Sequence, residues 1–151
     1  MSNWTAITVD SLKAAGHGAI ITAAQTASIG GQDPVAEAIA DAVARVRGAC
    51  STGNAMDADP AKVPNSVKGL TIRIALFALL ERINYPLSED QRDTRRNDYS
   101  FLLRINDDRL KFEQPDVAAG SAEMQEGGGE MDIVTQTPRH QYTRRGMDGL
   151  L

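Results

Sequence analysis

The chain has 151 residues, 42% of them hydrophobic but only 5% aromatic, and a formal net charge of −4. That length suits one domain able to bury its own core, the scarcity of aromatics points to a modest core with polar appendages, and the negative charge argues against a general phosphate-tracking surface. Cys50 is the single cysteine, which excludes an intramolecular disulfide and a multi-thiolate metal site and leaves a small buried thiol on a helix as the expectation.

The opening stretch 1–16 lacks the basic start and apolar core of a signal peptide, so synthesis in a reducing cytoplasm is expected. A short helix is expected over 8–15, with Thr8 or Asp10 as N-cap, Leu12 facing inward and Gly16 as the stop. Trp4 and Ile7 precede it, and Trp4 is expected to fold back onto the first turn as a lid. His17 sits between two glycines and reads as a loop residue. Segment 19–27, with Ile20 and Ile21 among alanines, favours a short helix over a strand.

Asp33-Pro34 is an N-cap followed by proline at the first helical position. The helix it opens runs to about Ser51, with Val35, Ile39, Val43 and Val46 on one face and alanines that allow close approach. Glu37 and Asp41 near its start and Arg45 and Arg47 near its end complement the helix dipole and read as a solvated face. Segment 51–64 is a polar connection punctuated by Gly53, Pro60 and Pro64. Asp57 and Asp59 lack the further spaced ligands of a calcium loop, so no metal is expected there.

Segment 67–83, VKGLTIRIALFALLERI, is the longest apolar stretch. Leu70, Ile74, Phe77 and Leu80 follow helical spacing, and Leu76, Leu79 and Ile83 widen the stripe, as in a helix touched from several sides. Arg73, Glu81 and Arg82 interrupt it, so the uncharged run falls short of the roughly 20 residues that cross a bilayer. Arg73 is expected either to emerge at the bundle edge or to pair with a carboxylate at a subunit contact. Pro86 ends the segment.

Ser88 and Gln91 form a capping box that opens a last long helix. Its first half is charged, with Glu89, Asp90, Arg92, Asp93, Arg95, Arg96 and Asp98, and is expected to project. Its second half carries Phe101, Leu102, Leu103 and Ile105 and is expected to pack on the central helix. The projecting charges suit a solvated surface or a subunit contact of alternating sign. After a turn at 106–108, where Asp107-Asp108 reads as capping, the alternating Leu110-Lys111-Phe112 suggests a short strand.

Three parts are therefore expected: a mainly α bundle of about four helices over 1–112, an acidic linker over 113–132, and an extended docking arm over 133–151. The linker holds Glu113, Asp116, Glu123, Glu126, Glu130 and Asp132, no lysine or arginine, and the run Gly127-Gly128-Gly129, so it is expected to be mobile. In the arm, Ile133-Val134-Thr135-Gln136 has strand propensity; Pro138, Arg139, Tyr142, Thr143, Arg144, Arg145 and Leu150 form a basic segment with an aromatic and an apolar end. GxSxG, HExxH, P-loop and GxGxxG motifs are absent from the sequence, and His17 and His140 lie far apart. No enzymatic activity and no cofactor are expected.

The order of elements, with VPNSVKGL before the apolar helix, SFLLRINDDRLKFEQP in and after the last one, and the terminal PRHQYTRRGMDGL, resembles the small head–tail adaptor (connector, neck) proteins of Mu-like tailed bacteriophages. The terminal match falls on Pro138, Arg139, Tyr142, Thr143, Arg144, Gly149 and Leu150, whereas His140-Gln141 adds a residue before the aromatic and 19–27 is less acidic than the family pattern. The resemblance implies a structural virion protein of the head–tail neck, assembled in the host cytoplasm as a ring of twelve copies beneath the portal protein. It also implies an arm that docks on the portal or a neighbouring copy, contacts with tail or neck proteins, and DNA passing through the ring without sequence-specific recognition. The alternatives are another phage neck or tail-completion protein, or a soluble helical binding module with a basic docking tail.

Overall fold

A computed structural model of the chain describes residues 2–28, 31, 33–107 and 110–119. Within them the elements are β1 (Trp4–Ala6), α1 (Val9–Ala14), α2 (Gly18–Thr26), α3 (Pro34–Cys50), β2 (Lys62–Pro64), α4 (Lys68–Arg82) and α5 (Glu89–Asn106), with a 3-10 turn at Asn65–Val67 leading into α4. The fold is a small, mainly helical bundle, as the spacing of apolar residues implies. Segment 19–27 is helical, as its alanines favour, in α2 (Gly18–Thr26), and the described residues hold five α-helices.

Local chemistry sets the helix ends. Thr8 caps α1 in a reciprocal pair with Ser11, Asp33 Oδ1 accepts from the Val35 and Ala36 amides at 3.0 and 3.3 Å, and Ser88 and Gln91 form the expected box at the start of α5. Gly16 stops α1 with φ +89°. The stop of α4 is more specific than the nearby proline suggests. Asn84 takes the left-handed conformation with φ 50°, its N–H donates to Glu81 O at 3.1 Å, and the Tyr85 N–H donates to Leu80 O at 2.9 Å, closing the last carbonyls of the helix.

Central α4 is buried on most of its circumference, with Leu70, Ile74, Ala75, Leu79 and Leu80 among its covered residues. It packs along α3, whose Val35, Ala38, Ala42, Val46 and Cys50 form the facing stripe, and against α2 through Ile21 and Ala24. From α5 only Leu102 and Ile105 are buried among the four expected apolar residues; Phe101 is half-buried and Leu103 is 67% exposed. That helix touches α3 as well as α4, so a narrower stripe suffices. The buried Thr71 hydroxyl donates to Val67 O at 2.9 Å, which satisfies it within its own helix.

Two expectations about non-helical chain need correction. Trp4 is buried, but it does not lie on the first turn of α1: it belongs to β1, which pairs antiparallel with β2 in the register Trp4↔Pro64, Thr5↔Val63 and Ala6↔Lys62. Residues 110–112 are not a strand either, because their backbone is taken by a side chain: the Phe112 N–H donates to Asn54 Oδ1, and Asn54 Nδ2 donates to Leu110 O.

The start of the expected mobile linker is docked. Glu113 O accepts from Trp4 Nε1 at 2.9 Å, the Asp116 carboxylate accepts from the Ser2 hydroxyl and the Asn3 N–H, and residues 117–119 pair with 56–58 through Ala58 N–H to Val117 O and Ala119 N–H to Met56 O, both 2.8 Å. The folded unit thus runs past the expected boundary at 112 to 119. Backbone pairing fixes this strap, a contact that acidic composition neither favours nor forbids.

Candidate functional site

The candidate contact residues of α4 and α5 are arranged in two tiers. The inner tier is used within the chain. Arg73 makes a fork-to-fork pair with Asp98, Nε to Oδ2 at 2.9 Å and Nη2 to Oδ1 at 2.7 Å. Asp98 is buried while the Arg73 side chain stays 45% exposed, so the guanidinium covers a carboxylate that would otherwise lack compensation. The hydrogen bond to Asp98 holds the Arg73 pKa above its ordinary value against the opposing effect of burial. Arg73 therefore pairs with a carboxylate, as one expectation had it, but with its own chain's.

Arg95 likewise pairs with Glu81 of α4 and lies over the Tyr99 ring, 5.8 Å from its centroid. Burial pulls its pKa down, yet hydrogen bonds to Glu81 and Tyr99 leave it raised overall. The charged half of α5 consequently does not project freely: Arg95 and Asp98 strap it to α4.

The outer tier faces solvent. Glu89 and Asp90 occupy the first turn of α5, where they complement the helix dipole. Arg92 is exposed, and Asp93 and Arg96 form an i,i+3 pair at 3.6 Å that is exposed on both sides. Further along the same helix Tyr99 is 36% exposed and accepts from Arg45 Nη1 at 3.2 Å, while Leu103 stands out beyond it. Between α3 and α5 these residues border an open hollow of about 470 Å³ lined by Arg45, Ala49, Tyr99, Leu102, Leu103 and Asn106. Cations, an aromatic and an exposed leucine in one patch form the mixture that protein interfaces favour.

A second surface lies on the other flank of α3. An open groove of about 680 Å³ is lined by Ile39 and Val43, by the exposed Ala36, Ala40 and Ala44, and across from them by segments 7–9 and 60–61. Helical periodicity places this groove and the hollow on opposite sides of the exposed ridge of α3.

Arg47, at the groove's end, is the residue that sequence reasoning most undervalued. Its guanidinium donates to three backbone carbonyls, Asp57 O at 2.9 Å, Asp59 O at 3.0 Å and Lys62 O at 2.6 Å, and lies 5.6 Å from the Trp4 ring centroid. It is half-buried and joins α3 to the 57–62 connection and to β1, not part of a solvated face. Asp57 is buried, with Oδ1 accepting from the Asp59 N–H at 2.9 Å and lying 4.0 Å from Lys62 Nζ. Among the described residues no group of three or more His, Cys, Asp or Glu could hold a metal ion, and no helix is long and apolar enough to cross a membrane. Cys50 is buried, and desolvation pushes its thiol pKa up to about 11.

The arm candidates Ile133, Val134, Pro138, Arg139, Tyr142, Thr143, Arg144, Arg145 and Leu150 lie outside the described residues. Comparison with family models, with curated proteins and with solved structures gives no match for this chain.

Proposed function

We propose that the chain is a structural adaptor subunit of a tailed-phage head–tail connector, forming a ring beneath the portal protein and linking the DNA-filled head to the tail. The observation that supports this reading best is the outer face of α5, where Tyr99 and Leu103 are exposed beside Arg45, Arg92 and Arg96 on a helix whose inner face is already strapped to α4. A ring subunit needs such a face: head-to-tail contacts join two unlike, complementary patches on every copy. An aromatic and an aliphatic anchor would supply affinity there, and the flanking cations would set register and reject wrong partners.

The arm adds the second contact. Its arginines suit acidic groups on a partner, Ile133 and Val134 suit strand addition at a sheet edge, and a tethered second site raises avidity without a larger bundle interface. The motifs 63–70, 100–115 and 138–150 support assigning the partner to a phage portal.

The test is assembly on purified portal rings. The wild-type chain should co-sediment with the portal and add a ring of density beneath it, whereas Leu103→Glu should remain a folded monomer that no longer completes the ring. Ring assembly by Leu103→Glu equal to wild type would sink the α5 contact, and failure of the wild-type chain to bind any portal would sink the connector reading.

A further inference from the structure

Among the described residues the exposed large hydrophobic side chains are Tyr85, Tyr99, Leu103 and Val117. Tyr99 and Leu103 belong to the hollow between α3 and α5, where Arg45, Tyr99, Leu103 and Asn106 are exposed and only Leu102 is buried. Arg92, Arg96, Tyr99 and Leu103 recur at helical spacing, so the hollow's edge continues into a line of guanidiniums. Arg45 donates only to a neutral phenol, the Tyr99 hydroxyl, and among the described residues neither Arg45 nor Arg92 is paired with a carboxylate. An open apolar hollow bordered by unpaired cations fits an apolar side chain that arrives with carboxylates beside it.

Tyr85 has that setting. It is 56% exposed, on the turn between α4 and α5. Its N–H donates to Leu80 O at 2.9 Å, Asn84 before it is held at φ 50°, and Pro86 follows, so the ring is presented from a fixed backbone and loses little freedom on docking. Glu89 and Asp90 in the first turn of α5 are exposed and form no ion pair among the described residues, while the nearby Arg82 and Arg95 are engaged by Glu37 and Glu81. Val117 lacks such company: Glu113 already accepts from Ser66, and Asp116 from Ser2 and Asn3. From Glu89 to Leu103 the helix runs about 21 Å, farther than a tyrosine side chain reaches, so a copy cannot fill its own hollow with its own Tyr85.

We infer that Tyr85 of one copy enters the α3–α5 hollow of a second copy, with Glu89 and Asp90 set against the second copy's Arg45 and Arg92, each copy using its two patches with two different neighbours. The inference rests on the ring reading for its partner and names the second, unlike face that a head-to-tail contact requires. The aromatic ring supplies the buried anchor, and the flanking charges set the register.

The test uses the full chain with the photo-reactive residue p-benzoylphenylalanine in place of Tyr85, which keeps an aromatic ring there. It is mixed with isotope-labelled wild-type chain at about 1 mM, enough to half-populate a contact of millimolar affinity, and irradiated. Mass spectrometry should find cross-links from position 85 to labelled 45–49 or 99–106, and Glu89→Arg with Asp90→Arg should lower their yield about tenfold. Irradiated alone, the photo-reactive chain should give products that continue past the dimer. Products that stop at the dimer, cross-links that map elsewhere, cross-links to no labelled chain, or a yield indifferent to the charge reversal would each overturn the proposal. Circular dichroism checks that the reversed variant keeps its helices. Because no portal is present, failure here leaves the connector reading standing, whereas the expected cross-links from a chain that binds no portal would strike that reading alone.

Discussion

Arg47→Met removes the guanidinium while keeping most of the aliphatic stem, and its cost follows from the geometry. Two of the three carbonyls it serves, those of Asp57 and Lys62, accept in part-buried hydrogen bonds, and the third, that of Asp59, is exposed and can turn to water. Counting about 1–1.5 kcal/mol for each part-buried bond, nothing for the exposed one, and about 0.5 kcal/mol for the contact with Trp4, the loss is about 3 kcal/mol. For a chain of this size each kcal/mol moves the melting temperature by roughly 2–4 °C, so Arg47→Met should melt about 6–12 °C lower. Arg47→Lys retains the charge but not the fork, and should lose about half as much. Calorimetry supplies the melting temperatures, and amide exchange should show 57–62 and β1 opening before the α3–α4 core. A melting temperature within about 2 °C of wild type for Arg47→Met would refute the view that this side chain fastens the connection to the bundle.

Three other outcomes are expected. The Arg73–Asp98 pair should respond asymmetrically: Arg73→Ala strands a buried carboxylate and should cost about 2–3 kcal/mol, whereas Asp98→Ala frees a half-exposed guanidinium to reach water and should cost about 1–2 kcal/mol in urea unfolding. Asp116 has its pKa lowered by the Ser2 hydroxyl and the Asn3 N–H. Its tether to the N-terminal segment should be fully present above the ordinary carboxylate value of 3.8 and be lost only as pH falls through the lower folded value, seen as a shift of the Asn3 amide resonance that Asp116→Asn abolishes. Cys50, raised from 9.0 to about 11, should react with a disulfide reagent at pH 8 about 100-fold more slowly than a free thiol from the loss of thiolate alone, and burial should slow it further until unfolding controls the rate.

The helices were legible because their signals are local. Asp33-Pro34, the Ser88–Gln91 box, and the run of Leu70, Ile74, Phe77 and Leu80 each report their structure within a few residues. The pairing of β1 with β2 was not legible, since three-residue strands 58 positions apart carry no periodicity to recognise, and their register comes from tertiary contact. The docking of 113–119 was hidden for a related reason. That segment is held partly by backbone pairing with 56–58, which every sequence can make, and partly by Trp4 Nε1, Ser2 and Asn3, whose partners over 100 residues away only the fold brings near. Arg47 was misjudged because its dipole-compatible position near the end of α3 explained it sufficiently by itself, and its three acceptors come from a loop whose path only the fold defines. The α3 groove did leave a trace in Ala36, Ala40 and Ala44, which repeat every four residues, but small residues alone do not distinguish a helix contact from an open surface.

The strap over 113–119 is itself testable: Trp4→Phe, which loses the donor to Glu113 O, should loosen both the strap and the N-terminal packing, seen as faster amide exchange over 117–119.

The connector reading is tested most directly by electron microscopy of tailed particles assembled with a tagged copy of this chain. A connector subunit should appear as a symmetric ring of density directly beneath the portal, with helices that accept α3, α4 and α5 and with α5 at the boundary between copies. Tag density elsewhere in the particle, or particles with complete necks that contain none of the protein, would contradict it.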